Sequence, residues 1–135
     1  MHPLRKRREG GTATPAQVSA LFAENIVFNS PILVRPIGGR EVIATIFSQS
    51  SSTRGSGTYT AELKLDERTT FLRWEGTMDG HKIESLEVIV DNDQGLIVER
   101  TIALRPYPAV KLFRDAMYAS LKGKLPADVW DYSTP

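Results

Sequence analysis

Two charged residues stand where apolar ones are expected. Glu87 and Arg100 lie inside SLEVIVDNDQGLIVERTIALR (85–105), whose arms are rich in Val, Ile and Leu and whose break, Asn92–Gly95, carries Asn, Asp and Gly. That pattern reads as two strands joined by a turn. If both charges face a core they must pair, because an isolated buried charge is very costly. A facing carboxylate and guanidinium have two uses. They form a structural ion pair, or they stand at the floor of a pocket and orient or polarise a small molecule.

Other residues with chemical potential are few. His81 flanks the Asp79-Gly80 turn and reads as an exposed turn residue rather than a general base. With His2 it makes only two histidines, too few for a histidine-based metal site, so neither metal nor cofactor is expected. The absence of cysteine excludes disulfides and thiolate chemistry. SQSSSTRGSG (48–57) has the serines and glycines of a phosphate cradle but no Walker spacing and no lysine, so it reads as a flexible connection. Arg5, Lys6, Arg7 and Arg8 form a basic cluster that reads as a solvated tail rather than a polyanion contact.

The elements that must position Glu87 and Arg100 follow from composition and period. A chain of 135 residues with 41% hydrophobic and 24% charged residues has the size and make-up of one soluble domain. A net charge of +1 gives no global attraction to nucleic acid or to an anionic membrane. No apolar run reaches the roughly 18 residues of a spanning helix, so a cytoplasmic location is the default expectation. Residues 1–13 are expected to be a disordered basic tail, and 14–135 the domain. Thr14-Pro15 starts a short helix over 15–24, with Val18, Leu21 and Phe22 on one face. Ile26–Phe28 is a short strand, and 31–39 is loop. A second helix starts near Arg40, with Val42, Ile43, Ile46 and Phe47 as its stripe. Strands follow at 58–66, 69–78, 81–91 and 96–105, and Asp79-Gly80 is the strongest hairpin signal. A third helix over 108–122 buries Val110, Phe113, Met117 and Leu121, and Trp130 and Tyr132 tack the tail onto the body or a partner.

Turn lengths set the expected register. A two-residue turn at Asp79-Gly80 puts Trp74 opposite Ser85 and Leu72 opposite Glu87; a similar turn at Glu67-Arg68 puts Leu63 opposite Leu72. A four-residue turn at Asn92–Gly95 puts Glu87 directly opposite Arg100 and Ser85 opposite Ile102. One face then carries Tyr59, Ala61, Leu63, Leu65, Leu72, Trp74, Ile83, Ser85, Glu87, Ile89, Val98, Arg100, Ile102 and Leu104 and packs against the helices. The other turns apolar on the late strands, at Leu86, Val88, Val90, Ile97 and Ala103, which predicts a sheet-to-sheet homodimer.

LFAENIVFNSP, GGREVI and EVIVDNDQGLIVERTIALRP, in that order around a four-stranded meander, resemble the nuclear transport factor 2-like superfamily, especially its SnoaL-like and ketosteroid-isomerase-like members. The resemblance covers about residues 15–107. It implies an α+β, cystatin-like roll: a curved antiparallel four-stranded meander wrapped by three helices, cone-shaped, with an internal apolar pocket. Dimers through the outer sheet face are usual in that family. Its isomerases carry a protonated acid eight positions before the glycine of the last hairpin, the place of Glu87 relative to Gly95. Arg100 favours the ionised form there, which cannot donate to an oxyanion. Their general base precedes a proline after the first strand; here Ser30 stands before Pro31 with Asn29 beside it, and neither is a base near neutral pH. The N-terminal helix that carries their tyrosine has no counterpart expected before Thr14. The inward histidine of SnoaL-like cyclases is missing. Arg73-Trp74-Glu75 echoes the Arg-x-Asp of limonene-epoxide-hydrolase-like members, but the register points both charges outward.

The resemblance therefore implies a small-molecule-binding protein with a small apolar ligand in the cone, contacted by Asn29, Tyr59, Leu72, Trp74, Ser85, Ile102 and Leu104. The alternative is a lyase, isomerase or hydrolase using Glu87 as acid/base and Arg100 as electrostatic stabiliser.

Overall fold

The computed structural model describes residues 1–11 and 13–132. The four long strands form where alternation predicts them: β3 (Gly57–Asp66), β4 (Thr69–Met78), β5 (His81–Asp91) and β6 (Ile97–Arg105). The β4–β5 turn is as tight as Asp79-Gly80 implies, with φ of 50° and 79° at these two residues. Two further strands precede the meander, β1 (Phe22–Asn29) and β2 (Ile37–Gly38). The sheet therefore has six strands rather than four, in the order β2-β1-β6-β5-β4-β3, with β1 parallel to β6 and the other pairs antiparallel.

The start of the chain departs most from expectation. Within the segment expected to be a disordered tail, Pro3–Glu9 is a helix, α1, whose Leu4 is fully buried. His2 caps it, its Nδ1 accepting from the Leu4 amide at 3.0 Å while Nε2 bonds the Asp91 carboxylate at 3.0 and 3.1 Å. The His2 amide also donates to Glu62 at 2.8 Å, and Arg5 reaches the same carboxylate at 3.1 Å. One apolar side chain and several ion-paired anchors hold a segment whose composition predicts disorder. The second helix, α2, is only Pro15–Ser19, shorter than the expected 15–24, because Phe22 already belongs to β1 and pairs with Ile97. Thr14 and Gln17 form a reciprocal capping box at its start.

Two long helices cover the inner face of the sheet. α3 (Arg40–Thr53) runs through the serines that were expected to be linker, and α4 is Tyr107–Leu121. α3 buries Ile43, Ala44, Ile46 and Phe47, leaving Val42 exposed; α4 buries Ala109, Phe113, Met117 and Leu121. The tail docks by Trp130, buried and edge-on to Tyr118 at 5.2 Å, whereas Tyr132 is exposed.

Register was anticipated across β4–β5 and shifted elsewhere. Met78–His81, Trp74–Ser85 and Leu72–Glu87 are pairs as expected. Across β5–β6, Glu87 faces Ile102 and Arg100 faces Ile89, two residues from the expected pairing, because the turn is longer, its Asn92 N–H donating to the Leu96 carbonyl at 2.8 Å, and a bulge lies at Val90/Asp91. The Asn92 carboxamide oxygen accepts from Gln94 and Leu96 amides at 2.9 and 3.0 Å, which stabilises this longer turn. A shift of two keeps each side chain on its face. The bulge also turns Ile97 inward; it is 1% exposed and does not belong to the outer apolar patch.

In β3 the irregularities between Tyr59 and Ala61 and between Lys64 and Asp66 reverse part of the expected facing. Leu63 pairs with Phe71 rather than Leu72, and Glu62 takes the place opposite Leu72. Leu63 and Leu65 are consequently exposed at 57% and 60%. The outer face now carries Leu63, Phe71 and Val88 in one cross-strand row and Ala61, Arg73, Leu86 and Ala103 in another. Glu84 on this face is held by Arg105 at 2.6 Å and Arg73 at 2.8 Å, which together keep its carboxyl below the ordinary value.

Candidate functional site

Glu87 and Arg100 meet inside the cone. They are diagonal neighbours on adjacent strands, and Arg100 Nε donates to Glu87 Oε2. Both are about 3% exposed. The Arg100 guanidinium lies 5.3 Å from the Phe28 ring centroid and 5.1 Å from that of Phe47, so aromatic faces supply the rest of its surroundings.

Beside this pair lies a cavity of about 20 Å³, lined by Arg100, Ile102 and Leu104 from β6, Phe28 and Ser30 from β1 and its end, Ile46 and Phe47 from α3, and Phe113 and Met117 from α4. That volume holds about one water. Phe47, Phe113 and Met117, all buried, reach into this space from the two helices. Among the expected ligand contacts, Ile102 and Leu104 line the cavity. Leu72 and Ser85 are buried on the same sheet face, paired with Glu87 and Leu104. Tyr59 packs against the core on the β3 side, where burial pushes its hydroxyl up to about 12. Asn29 is turned away: its amide donates to the Thr101 hydroxyl at 2.9 Å in an exposed position, and Ser30 lines the cavity in its stead.

A second pocket, of about 530 Å³, opens where α1, the end of α3 and the start of β3 converge. Arg54, the C-cap residue of α3, lines both this pocket and the inner cavity. Its guanidinium stacks 4.5 Å from the Trp74 ring centroid and lies 5.9 Å from that of Phe113. Trp74 faces this outer pocket, and glycines set its pose. Gly57 and Gly76 are a cross-strand pair, and a Cβ on them would come within 2.3 and 2.1 Å of the indole. Only residues without side chains let the ring lie flat across both strands.

Arg8 enters the interior from α1. Its guanidinium lies 4.5 Å from the Phe47 centroid, so Arg8 and Arg100 share one ring. Burial pulls Arg8 below its ordinary value and the Arg100 charge adds to this, against the influence of Tyr59 and Glu87. Arg8 Nε and Nη2, Arg54 Nε and Ser51 Oγ are buried with no hydrogen-bond partner among the described residues. Each such group costs about 1–3 kcal/mol if left unsatisfied. No group of three or more His, Cys, Asp or Glu that would suit a metal occurs among the described residues.

Sequence reasoning set aside Arg8, Ser51 and Arg54 with the segments it read as tail and flexible connection. A signal existed for all three. Phe47, Ser51 and Arg54 stand at i, i+4 and i+7, so continuing the α3 stripe through the serines places them on one face. Likewise Leu4 and Arg8 share a face once α1 is helical.

This architecture is the nuclear transport factor 2-like, or cystatin-like, fold. It is similar to an uncharacterised protein with a cystatin-like fold from Silicibacter pomeroyi DSS-3, at a TM-score of 0.80 and 24% identity over 90% of this chain and 86% of that one. A steroid delta-isomerase from Pseudomonas aeruginosa is similar at a TM-score of 0.78 and 22% identity, over 91% and 87% of the two chains. An NTF2-like protein of unknown function from Cytophaga hutchinsonii ATCC 33406 is more distant, at a TM-score of 0.57 and 16% identity over 71% and 80%. No protein-family model matches the chain, and no curated protein matches it. Among the described residues no helix is long and apolar enough to cross a membrane.

Proposed function

We propose that this chain is a cytoplasmic small-molecule-binding protein that receives a small apolar ligand in the cone. The observation that carries this reading is the cavity itself, walled by Phe28, Phe47, Phe113 and Met117 and edged by Arg100, the partner of Glu87. An apolar pocket with a few convergent polar groups is the usual form of a small-molecule site. A ligand larger than water enters by displacing Phe113, Met117 or the Arg54 side chain, which together fill the space between helices and sheet.

The test is a thermal-shift screen of small carbonyl, epoxide and steroid-like compounds against wild type, Met117→Ala, Glu87→Gln and Arg100→Met. The expected result is a compound that stabilises wild type and stabilises the enlarged Met117→Ala cavity more. If no compound stabilises either, the binding reading fails. Turnover of a carbonyl or epoxide that disappears in folded Glu87→Gln would replace it with the enzymatic reading.

The same proposal includes a homodimer through the outer sheet face. Its support is the contiguous patch of Leu63, Phe71, Leu86, Val88 and Ala103, to which β3 adds Leu63 by its bulge. Light scattering is expected to give twice the chain mass for wild type and the monomer for Leu86→Lys. A monomeric wild type would end this part of the proposal.

A further inference from the structure

The outer pocket gathers buried donors that have no hydrogen-bond partner among the described residues. Arg54 is nine-tenths buried, its Nε has no partner, and its guanidinium borders the pocket. Arg8 and Ser51 line the same pocket with further buried, unpartnered donors. The one carboxylate in the lining, Glu9, is bonded to Arg5 Nε at 2.9 Å. The ion pairs of the described residues include neither Arg8 nor Arg54. In the same interior, Arg100 has its carboxylate partner, and these two arginines have none among the described residues. The pocket's volume of about 530 Å³ suits a small organic molecule. Its floor is the Trp74 indole, and Gly55 and Gly57 leave its rim without side chains.

We propose that this outer pocket binds the anionic head, carboxylate or phosphate, of a small aromatic molecule, with Arg8, Ser51 and Arg54 donating to the head and Trp74 standing in the wall beside the ring. Guanidinium groups match both oxyanions geometrically, and the hydroxyl adds a third donor. An oxyanion also answers the burial that pulls Arg8 below its ordinary value. The site is separate from the inner cavity except at Arg54, so the two fail independently. An Ile102→Phe variant fills the inner cavity and leaves the outer lining untouched.

The experiment uses the full chain in a Trp130→Phe background, so that Trp74 alone reports by fluorescence. Benzoate and phenyl phosphate are titrated, with inorganic phosphate and benzyl alcohol as single-feature controls. Saturable changes in Trp74 emission are expected with an aromatic anion, and the stronger of benzoate and phenyl phosphate identifies the head group. Benzyl alcohol is expected to give no saturable change. Kd is expected to rise about tenfold in Arg8→Met and in Arg54→Met, and about threefold in Ser51→Ala. Affinity is expected to persist in Ile102→Phe. If Arg54→Met fails to fold, Arg8→Met and Ser51→Ala carry the test. The proposal is overturned if neither aromatic anion gives a saturable change, if benzyl alcohol binds as well as benzoate, or if Arg8→Met and Ser51→Ala bind as wild type does.

Discussion

The inner cavity and the outer pocket share Arg54 and little else. The inner one is small, about 20 Å³, and the Arg100 guanidinium that lines it is satisfied by the buried Glu87 carboxylate. The outer one is half-open, about 530 Å³, and its buried donors have no acceptor among the described residues. The same residue type therefore plays two parts in one molecule. Arg100 is needed because Glu87 is there; Arg8 and Arg54 lie against aromatic rings and have no ion-pair partner among the described residues. A buried charge that the chain itself satisfies belongs to stability first. One that the chain leaves unsatisfied invites a ligand.

Breaking the paired side is expected to have the largest effect. Arg100→Met leaves Glu87 buried without its partner, at a cost of about 3–5 kcal/mol, read by chemical denaturation. Adding Glu87→Leu removes the stranded charge and is expected to recover most of that loss. Failure of the double variant to recover would show that Arg100 matters through Phe28 and Phe47 more than through Glu87. Next is the glycine pair beneath Trp74. Gly57→Ala brings a Cβ to 2.3 Å from the indole and 2.4 Å from the Glu75 carbonyl oxygen. Something must shift, and a loss of about 1–3 kcal/mol is expected, with a change in Trp74 emission. An unshifted spectrum would mean that the indole does not lie on the glycines.

The unpaired side is expected to respond with the opposite sign. Arg8→Met removes a desolvated charge and keeps an apolar chain of similar length against Phe47. Stability in the absence of ligand is expected to rise by about 1 kcal/mol. A fall as large as that in Arg100→Met would erase the distinction between the two arginines.

How much of this was legible in the sequence depends on the scale of the signal. The four strands, the α4 boundaries and the β4–β5 register follow from alternation and one two-residue turn, which are local. The pairing of Glu87 with Arg100 was reached from a register two residues in error, because a shift of two preserves the face. The β3 irregularities were not legible: nothing in TYTAELKL marks a bulge, and only tertiary packing decides that Glu62 points toward α1 and Leu63 away. α1 was hidden for a related reason. Its local composition is basic and polar, and what orders it lies far along the chain, at Glu62 and Asp91. The outer pocket, built from α1 and the serine-rich end of α3, vanished with the two segments that read as tail and linker.

The smallest expected effect concerns the α1 anchor, and it decides whether the outer pocket has a removable wall. Burial alone would raise the Glu62 carboxyl, but the His2 amide, Arg5 and the terminal ammonium outweigh it and hold it below the ordinary 4.5. Because the folded value is the lower one, Glu62 contributes stability that is fully present above pH 4.5 and disappears as pH falls through the depressed value. Amides of Leu4–Glu9 are therefore expected to lose hydrogen-exchange protection in that acid range, before the sheet does, after correction for intrinsic exchange. The group is largely solvent-screened, so the effect is a fraction of what losing Arg100 causes. Glu62→Gln is expected to bring the weakened α1 protection to neutral pH while leaving β4–β5 protected. Should α1 and the central strands lose protection together in that variant, α1 is an integral part of the core, and Arg8 reaches the outer pocket as a fixed wall rather than as a detachable one.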